Sequence, residues 1–363
     1  MKTIQKMIKR TLVLSLSLVL LWACETKEDS SIEDNQQEDA SNTAEKNEAE
    51  NTEQQEESDL SQTPLEAHGQ LQVKGNELVD ENGKVAQLRG MSFFWSQWQA
   101  AMYNETIVDY LAQDWKVDII RAAMAVEHEG YKTHPETEIK KVDILVQAAV
   151  KNGLYVIIDY HSHEASKDPD TAADFFGQMA KKYKDIPNVI YEIYNEPLED
   201  DWVNTLVPYA TQVIAAIRAH DPDNLILCGT RTWSQRVDEV VQQPLTDPNI
   251  AYVLHFYAGT HKQWLRDTAD KARAAGLCIF VSEFGVINAN GDGAINYEST
   301  KKWMEWMDDN QLSWCNWAVS EKAEGASIFK PGTPGDQTPT TADLTESGLY
   351  LRSILLDRNY DKP

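Results

Sequence analysis

Two glutamates, Glu196 and Glu283, stand where apolar strand-like segments end. The first follows the run Val189 to Tyr194, in which most residues are β-branched or aromatic. The second directly follows the run Ile279 to Ser282. A pair of carboxylates placed in this way suits glycoside hydrolysis, because one acid must protonate the leaving oxygen while one carboxylate faces the anomeric carbon. Taken singly, a glutamate at such a position is more often a charge at the rim of a sheet than a catalytic residue.

Eight apolar strand-like runs alternate with helical patterns along the chain. We predict strands at about 86–91, 117–124, 154–161, 189–196, 224–230, 250–257, 278–284 and 313–319. The segments between them are amphipathic; in Glu138 to Asn152, for example, the residues on one face are Val142, Leu145, Val146 and Ala149. Apolar strands that alternate with such helices are typical of an α/β protein with a parallel sheet covered by helices. Eight of them favour a closed (β/α)8 TIM barrel over an open doubly wound sheet.

The polar residues of this pattern gather at one end of the predicted barrel. Active sites of (β/α)8 barrels lie at the carboxyl ends of the strands. The residues predicted there are Arg121, His161, Asn195, Glu196, His255, Tyr257, Glu283 and Trp317. Any one of them alone could have a purely structural role, as a polar side chain whose hydrogen bonds are made within the fold. Eight of them on one face favour a functional site.

A small β-hairpin is predicted ahead of the first barrel strand. Its apolar segments are Leu71–Val73, Glu77–Val79 and Val85–Leu88, with a turn at Glu81–Gly83. We expect it to plug one end of the barrel.

The composition limits the classes of function. The chain has 363 residues, of which 42% are hydrophobic, so it can bury one barrel core with extensions. Its net charge of -25 argues against nucleic acid as a partner, because a basic face is needed to neutralise phosphates. Cys228, Cys278 and Cys315 lie in apolar runs without CxxC spacing, so we expect small buried core residues rather than metal ligands or disulfides. We expect a monomer without a cofactor or a metal.

Residues 1–24 have the pattern of an export signal. Lysines and an arginine precede the apolar run Thr11 to Leu21, which is shorter than the roughly 20 residues that a membrane span needs. The sequence Leu21 to Cys24 resembles the lipobox of bacterial lipoproteins, in which the cysteine is lipidated and becomes the new amino terminus. We therefore expect an exported protein anchored to a membrane through Cys24, at the cell surface or in the periplasm. Ordinary secretion is the alternative.

Residues 25–65 are predicted to be an acidic disordered linker. They contain 14 acidic and 2 basic residues and no aromatic residue, so they cannot bury enough apolar area to fold. The catalytic domain is expected to span residues 66–363.

Eight motifs along this domain resemble those of glycoside hydrolase family 5, the cellulase family of retaining (β/α)8 barrels, and most closely its bacterial subfamily 2. They are LRGMS (88–92), IIRAAM (119–124), IIDYH (157–161), YEIYNEP (191–197), GTRTWSQ (229–235), LHFYAGTH (254–261), VSEFG (281–285) and SWCNWAVSEKAE (313–324). The resemblance implies a retaining endo-β-1,4-glucanase that acts on cellulose or a related β-glucan.

The resemblance also implies roles for residues at the strand ends. Glu196 matches the acid/base and Glu283 the nucleophile, while Arg121 matches the residue that keeps the nucleophile ionised. A structural ion pair is the alternative for this arginine. Asn195 matches the residue that binds the sugar 2-hydroxyl; His161, His255 and Tyr257 match residues around the scissile bond.

Aromatic side chains are expected to bind the sugar faces, which are apolar C–H surfaces. By resemblance, Trp317 lies under the sugar at the cleavage site, Trp98 further toward the non-reducing side, and Trp233 across the bond. Lys322 and Glu324 match a pair that holds a more distant sugar, although an exposed ion pair fits them equally well. Trp303 and Trp306, spaced for one helix face, are expected to be core residues.

The substrate is less well defined than the reaction. Xyloglucan, mixed-linkage glucan and mannan share the backbone geometry of cellulose, and Phe94 and Tyr194 replace the histidine and alanine of many subfamily members. A metal site at His161, His163 and His255 is a rival chemistry. A surface lipoprotein that binds glycan without catalysis is the rival class of function.

Overall fold

The structure is a computed structural model that describes residues 62–359. The predicted export signal, the lipidation site Cys24 and nearly all of the predicted linker lie outside the described residues.

The described chain forms a closed barrel of eight parallel strands. The strands are β3 (Arg89–Phe93), β4 (Ile119–Ala125), β5 (Tyr155–His161), β6 (Val189–Glu192), β7 (Ile226–Cys228), β8 (Ile250–Tyr257), β9 (Ile279–Gly285) and β10 (Trp314–Val319). Around the barrel they follow the order β10-β3-β4-β5-β6-β7-β8-β9. Every residue of these strands is buried, as expected for a parallel sheet that is covered on both faces. The predicted (β/α)8 TIM barrel is confirmed.

Helices connect the strands on the outside of the barrel. They are α1 (Pro64–His68), ahead of the barrel, then α2 (Glu105–Asp114), α3 (Pro135–Lys151), α4 (Pro169–Tyr183), α5 (Val207–Arg218), α6 (Gln263–Ala274), α7 (Tyr297–Asp309) and α8 (Glu346–Asn359). Local sequence sets several of the starts: the Asn104 side chain caps α2, and a proline stands in the first turn of α3 and of α4. The four apolar residues predicted for one face of α3 are all buried. None of the described helices is long and apolar enough to cross a membrane.

The amino-terminal hairpin closes the end of the barrel at which the strands begin. It consists of β1 (Gln72–Lys74) paired antiparallel with β2 (Glu77–Val79), and a single bridge joins Val79 to Val85. Leu71 and Leu78 are buried in one cluster with the barrel interior residues Tyr155, Phe280 and Cys315. The predicted plug is therefore present, with its tight turn at Gly75 rather than at Glu81–Gly83 alone.

The folded part begins slightly before the predicted boundary at residue 66. Thr63 caps α1 through a reciprocal pair of hydrogen bonds with Glu66, and Leu65 packs against the plug cluster. Three residues that the acidic composition had assigned to the linker are thus part of the folded domain.

The predictions for buried residues hold. Cys228, Cys278 and Cys315 are buried free thiols. Trp303 is fully buried and stacks on Phe256 at 3.8 Å between ring centroids, whereas Trp306 is only partly buried against the core.

Two strands are shorter than predicted, and this affects the site. Strand β6 ends at Glu192, so Asn195 and Glu196 lie in the loop that follows it rather than in the strand. The Asn195 and Glu196 amides still donate to the carbonyls of Tyr160 and Ser162, which continue the line of β5. Likewise, β7 ends at Cys228 instead of residue 230.

Candidate active site

A cleft of about 710 Å³ crosses the barrel at the carboxyl ends of its strands. The predicted site residues that line it are Trp98, His161, Glu196, Trp233, His255, Tyr257, Glu283, Trp317, Lys322 and Glu324. Arg121 and Asn195 lie behind this surface and are buried, with hydrogen bonds that reach the cleft residues. All twelve residues predicted for the substrate site are therefore brought together.

The two glutamates face each other across a short gap. One oxygen of Glu196 and one oxygen of Glu283 lie within 4.8 Å of each other and of a ring nitrogen of His255. Carboxyl groups about 5–5.5 Å apart are typical of retaining glycosidases, whereas inverting enzymes need about 6.5–9.5 Å to admit a water. The short gap favours direct attack by one carboxylate on the anomeric carbon.

Glu283, at the end of β9, is held by two donors. Arg121 Nη1 donates to Glu283 Oε2 at 3.0 Å, and the Tyr257 hydroxyl donates to Oε1 at 2.7 Å. Burial raises the pKa of Glu283 above its usual value, although His255, Arg121 and Tyr257 all favour the carboxylate form. A nucleophilic role therefore requires a pH above that raised pKa.

Arg121 is the centre of a buried ionic cluster. Its Nε atom lies 2.7 Å from Glu192 Oε2, and its Nη2 atom lies 2.9 Å from Asp159 Oδ2 and 2.7 Å from Asn195 Oδ1. One guanidinium faces three carboxylates, and burial raises the pKa of Asp159 well above its usual value although Arg121 opposes the shift. Arg121 thus belongs to a buried ion cluster and also contacts Glu283, so its contacts are consistent with both interpretations.

Glu196 is contacted by two imidazoles. His255 Nδ1 lies 3.0 Å from Glu196 Oε1, and His163 Nε2 lies 3.0 Å from Oε2. Burial raises the pKa of Glu196, but the hydrogen bonds from His163 and His255 outweigh it and lower the pKa to about 2. Burial lowers the pKa of His255, but the carboxylates of Glu283, Glu192 and Glu196 outweigh it and raise the pKa to about 9.

The surroundings thus lower the pKa of Glu196 and raise that of His255, which lies one hydrogen bond away. The motifs predicted a protonated Glu196 beside an ionised Glu283, but they did not indicate that two histidines contact Glu196. A general acid needs the proton on the carboxyl oxygen in the transition state, and His255 Nδ1 lies 3.0 Å from Oε1, within reach to supply it. The His255–Glu196 pair together therefore supplies what an acid/base residue requires.

Asn195 offers an unused donor beside the glutamates. Its Oδ1 atom accepts from Arg121, while its Nδ2 atom is buried without a hydrogen-bond partner among residues 62–359. Buried polar groups are normally paired. This free amide fits the expected contact with a sugar hydroxyl.

Tryptophans stand at both ends and at the floor of the cleft. Trp317 is 5% exposed, and its ring lies parallel to that of His161 with centroids 5.2 Å apart. Trp98 is 56% exposed and Trp233 is 45% exposed. They follow β3 and β7, which lie opposite each other in the barrel order, so the platforms face one another across the mouth. An apolar platform on each side of the glutamates suits a chain of sugars that runs across the barrel.

Lys322 and Glu324 are both a cleft pair and an ion pair. Lys322 Nζ forms a close salt bridge with Glu324 Oε2, and both residues line the cleft. Lys322 Nζ also lies 5.2 Å from the ring centroid of Phe94, which packs on Trp317 at 4.9 Å. Phe94 therefore makes the cleft wall apolar at this position.

Tyr194, the other departure from the pattern, lies behind the cleft. Its hydroxyl is 2.9 Å from Asp200 Oδ2 and 3.1 Å from the His163 carbonyl oxygen. Its contacts thus support the residue that hydrogen bonds to Glu196.

The predicted rival metal site does not assemble among the described residues. The three histidines do not converge on one point: His161 contacts Asp159, whereas His163 and His255 contact opposite oxygens of Glu196, and His255 also contacts Ser282. Within residues 62–359, the group close enough to share one ion is Glu196, His255 and Glu283, which is the site described above.

Four residues of this network were missed by sequence reasoning: His163, Glu192, Asp159 and Ser282. Glu192 had a detectable signal, because a charge inside the apolar run 189–196 demands a buried partner. His163 had a weaker signal, because it lies two residues after His161 in an extended segment. It was considered only as a metal ligand. Ser282, which donates to Glu192 Oε1 at 2.8 Å, had none.

Comparison with known proteins places these features in one family. A family model described as cellulase (glycosyl hydrolase family 5) matches residues 79–323, which contain both glutamates. Endoglucanase Z of Dickeya dadantii is 46% identical over 289 residues, a match that covers 78% of this chain and 66% of the relative. An endoglucanase of Clostridium saccharobutylicum is 43% identical, with 79% of this chain and 65% of the relative covered. The chain thus matches about two thirds of the length of these curated relatives.

Solved structures agree with the sequence comparison. A structure from Cytophaga hutchinsonii has a TM-score of 0.81 and 48% identity, and covers 82% of this chain and 98% of its own. The catalytic domain of Thermobifida fusca endoglucanase Cel5A, in complex with cellotetraose, has a TM-score of 0.78 and 34% identity. The match covers 81% of this chain and 99% of the Thermobifida fusca chain.

Proposed function

This chain belongs to glycoside hydrolase family 5, and on that premise we propose that it is a retaining endo-β-1,4-glucanase that cleaves internal bonds of cellulose or a related β-glucan. The observation that carries the proposal is the pair Glu196 and Glu283, whose nearest oxygens are within 4.8 Å at the floor of an aromatic cleft. A protein that only binds glycan would not need this pair or the buried Arg121 cluster behind it.

The reaction follows from the contacts in two steps. Glu283, oriented by Arg121 and Tyr257, attacks the anomeric carbon while Glu196 protonates the leaving oxygen with the proton that His255 holds. In the second step, Glu196 accepts a proton from water while the water oxygen bonds to the anomeric carbon and the bond to Glu283 breaks, with overall retention. The accepted proton returns to His255, which restores the starting state. Every residue that gives or takes a proton in this scheme belongs to one chain, which fits a monomer that needs no cofactor.

Two features support internal cleavage of a β-1,4-glucan. The cleft has sugar platforms on both sides of the glutamates, at Trp98 and Trp233, so a chain is able to extend in both directions. The similar Thermobifida fusca catalytic domain was solved with cellotetraose, a β-1,4-linked glucose chain. Xyloglucan, mixed-linkage glucan and mannan are the alternative polymers.

A polymer panel with the purified full chain tests this function. We expect the highest turnover on carboxymethyl cellulose or mixed-linkage β-glucan, and a steep fall in viscosity for few reducing ends released, which marks internal cleavage. Highest turnover on mannan would overturn the glucanase assignment. Release of cellobiose without a fall in viscosity would overturn the endo mode.

We further propose that the protein is an exported lipoprotein, anchored to a membrane through Cys24. The support is the charged, apolar and Leu-x-Ala-Cys pattern of residues 1–24. One diacylated cysteine with a further acyl chain binds a bilayer stably, because single acyl chains give only marginal affinity. The acidic stretch that follows would then act as a spacer between the lipid and the barrel.

Replacement of the lipidation site tests the anchor. We expect labelled palmitate to be incorporated into the wild-type protein, and Cys24→Ala to move the enzyme from the membrane fraction to the soluble fraction. Cys278→Ala, at a buried cysteine of the plug cluster, is the matched control that should leave fractionation unchanged. Equal membrane association of wild type and Cys24→Ala would reject the lipid anchor in favour of ordinary secretion or another form of attachment.

A further inference from the structure

Three consecutive residues after β7 adopt a left-handed backbone conformation. Thr232, Trp233 and Ser234 have φ angles of 58°, 53° and 54°. None of them is glycine, and L residues with side chains visit this region rarely and mostly singly. A run of three persists only where the surroundings hold it, and such local strain concentrates at functional sites.

The surroundings that hold this turn are the loop that carries Glu196. The Ser234 hydroxyl donates to the Asn195 carbonyl at 2.8 Å. The Trp233 amide donates to the Pro197 carbonyl at 2.9 Å, and the Thr232 amide donates to the Leu198 carbonyl at 2.8 Å. Donors on three successive residues of the turn thus bind carbonyls on both sides of Glu196.

The turn also approaches the loop closely at its base. A Cβ atom on Gly229 would lie 2.0 Å from the Tyr194 carbonyl oxygen, so only glycine fits there. Segments 229–234 and 194–198 are therefore in contact along their whole length.

The shortness of β6 and β7 explains why this contact is needed. The Asn195 and Glu196 amides point toward β5, where they donate to Tyr160 and Ser162. The carbonyls of the loop consequently point the other way, toward the end of β7. Because β7 stops at Cys228, the left-handed turn supplies the donors that a longer strand would have provided.

We propose that Ser234 is a positioning residue for the acid/base Glu196, and that the turn 230–235 couples the Trp233 platform to that glutamate. The inference rests on the proposed glucanase function. A sugar of the leaving chain that stacks on Trp233 is placed relative to Glu196 by one continuous set of hydrogen bonds. Glu283 is held separately, by Arg121 and Tyr257, so the turn serves proton donation and not nucleophilic attack.

The test compares two leaving groups in the full-length chain carrying Ser234→Ala. Dinitrophenyl β-cellobioside leaves without protonation, whereas cellotetraose needs the general acid. Since general acid catalysis contributes about 10²–10⁴-fold, partial misplacement of Glu196 should lower kcat/KM on cellotetraose about tenfold. On the dinitrophenyl substrate, kcat/KM should stay within about twofold of wild type, because glycosylation by Glu283 is unaffected.

The matched control is Ser313→Ala. Ser313 is also buried, and its hydroxyl accepts from the Leu88 amide at 2.9 Å, at the opposite end of the barrel. Ser313→Ala should leave kcat/KM unchanged on both substrates. If Ser234→Ala does not fold, the same two substrates are compared with Ser234→Cys, which keeps the shape of the side chain but has only a weak donor.

Equal losses on both substrates would overturn the inference, because they indicate general damage to the fold. Unchanged activity on cellotetraose would overturn it as well. Failure of the proposed function looks different, since the wild-type enzyme itself would then cleave neither substrate.

Discussion

Glu283→Gln is expected to abolish turnover on cellulosic substrates, with a loss on the order of 10³-fold or more, while glucan binding is retained. The substitution keeps the shape of the side chain but removes the charge that attacks the anomeric carbon. In the wild type, Arg121 and Tyr257 donate to the two carboxylate oxygens of Glu283 at 3.0 Å and 2.7 Å. The amide of a glutamine at this position is a much weaker nucleophile, so these two donors cannot restore the attack. Trp98, Trp233 and Trp317 are untouched, so the platforms that bind sugar faces remain.

Steady-state kinetics measure the loss of turnover, and calorimetric titration with cellotetraose measures whether glucan binding is retained. Glu138→Gln is the matched control, since Glu138 is 1% exposed and ion-paired with Lys141 but lies outside the cleft. The control should keep most of the activity. Full activity of Glu283→Gln would reject the site, and loss of binding together with activity would show that Glu283 holds the substrate rather than attacking it.

The fold was predictable because its signals are local and repeated. Each strand is a continuous apolar run, so the regular alternation of strands with helices and the number of strands, eight, favoured a closed parallel barrel. Boundaries at the functional end were less predictable. Residues 193–196 look like strand, yet β6 stops at Glu192 because the partner strand β7 is only three residues long. Strand ends depend on the neighbouring strand, which the sequence of one segment does not contain.

The identity of the site was predictable, whereas its electrostatics were not. Residue types at strand ends, together with the family motifs, placed Glu196, Glu283 and Arg121 in one cleft. The contacts of Glu196 with His163 and His255 depend on side chains from β8 and from the loop after β5, which are far apart in sequence. A protonation state is a sum over such neighbours. Glu196 was therefore expected to stay protonated, whereas its two histidine contacts lower its pKa.

The turn after β7 illustrates the same limit. The motif GTRTWSQ marks the position of Trp233 but carries no glycine at residues 232–234. Propensity alone argues against a left-handed run there. The conformation becomes understandable only when the carbonyls of Asn195, Pro197 and Leu198 are seen to accept hydrogen bonds from the turn.

Glu196→Ala is expected to separate the two steps of the reaction. On cellotetraose, kcat/KM should fall about 10²–10⁴-fold, because the leaving oxygen is no longer protonated. On dinitrophenyl β-cellobioside, the first step should survive, since that leaving group needs no acid and Glu283 keeps both of its donors. The covalent intermediate should then accumulate, because water has lost its general base, and a burst of dinitrophenol followed by slow turnover reports it.

Azide provides the decisive measurement on this variant. The truncated side chain leaves room beside the sugar face opposite Glu283, and azide attacks without a general base. We expect restored turnover and β-cellobiosyl azide, which has the retained configuration. Glu324→Ala is the matched control, because Glu324 also lines the cleft but contacts neither catalytic residue, and azide should not stimulate it. An α-configured azide product or inverted sugar by NMR would refute the double displacement.

The pH dependence ties this variant to the histidine contacts. The wild-type enzyme needs the proton shared by His255 and Glu196, so its kcat/KM on cellotetraose should decline as pH rises through the His255 pKa of about 9. Above that pKa the proton is lost and the leaving oxygen cannot be protonated. Glu196→Ala on the dinitrophenyl substrate should show no such decline, since the proton has no role left there. A decline of equal size in both cases would assign the alkaline limb to another group and remove His255 from the acid/base pair.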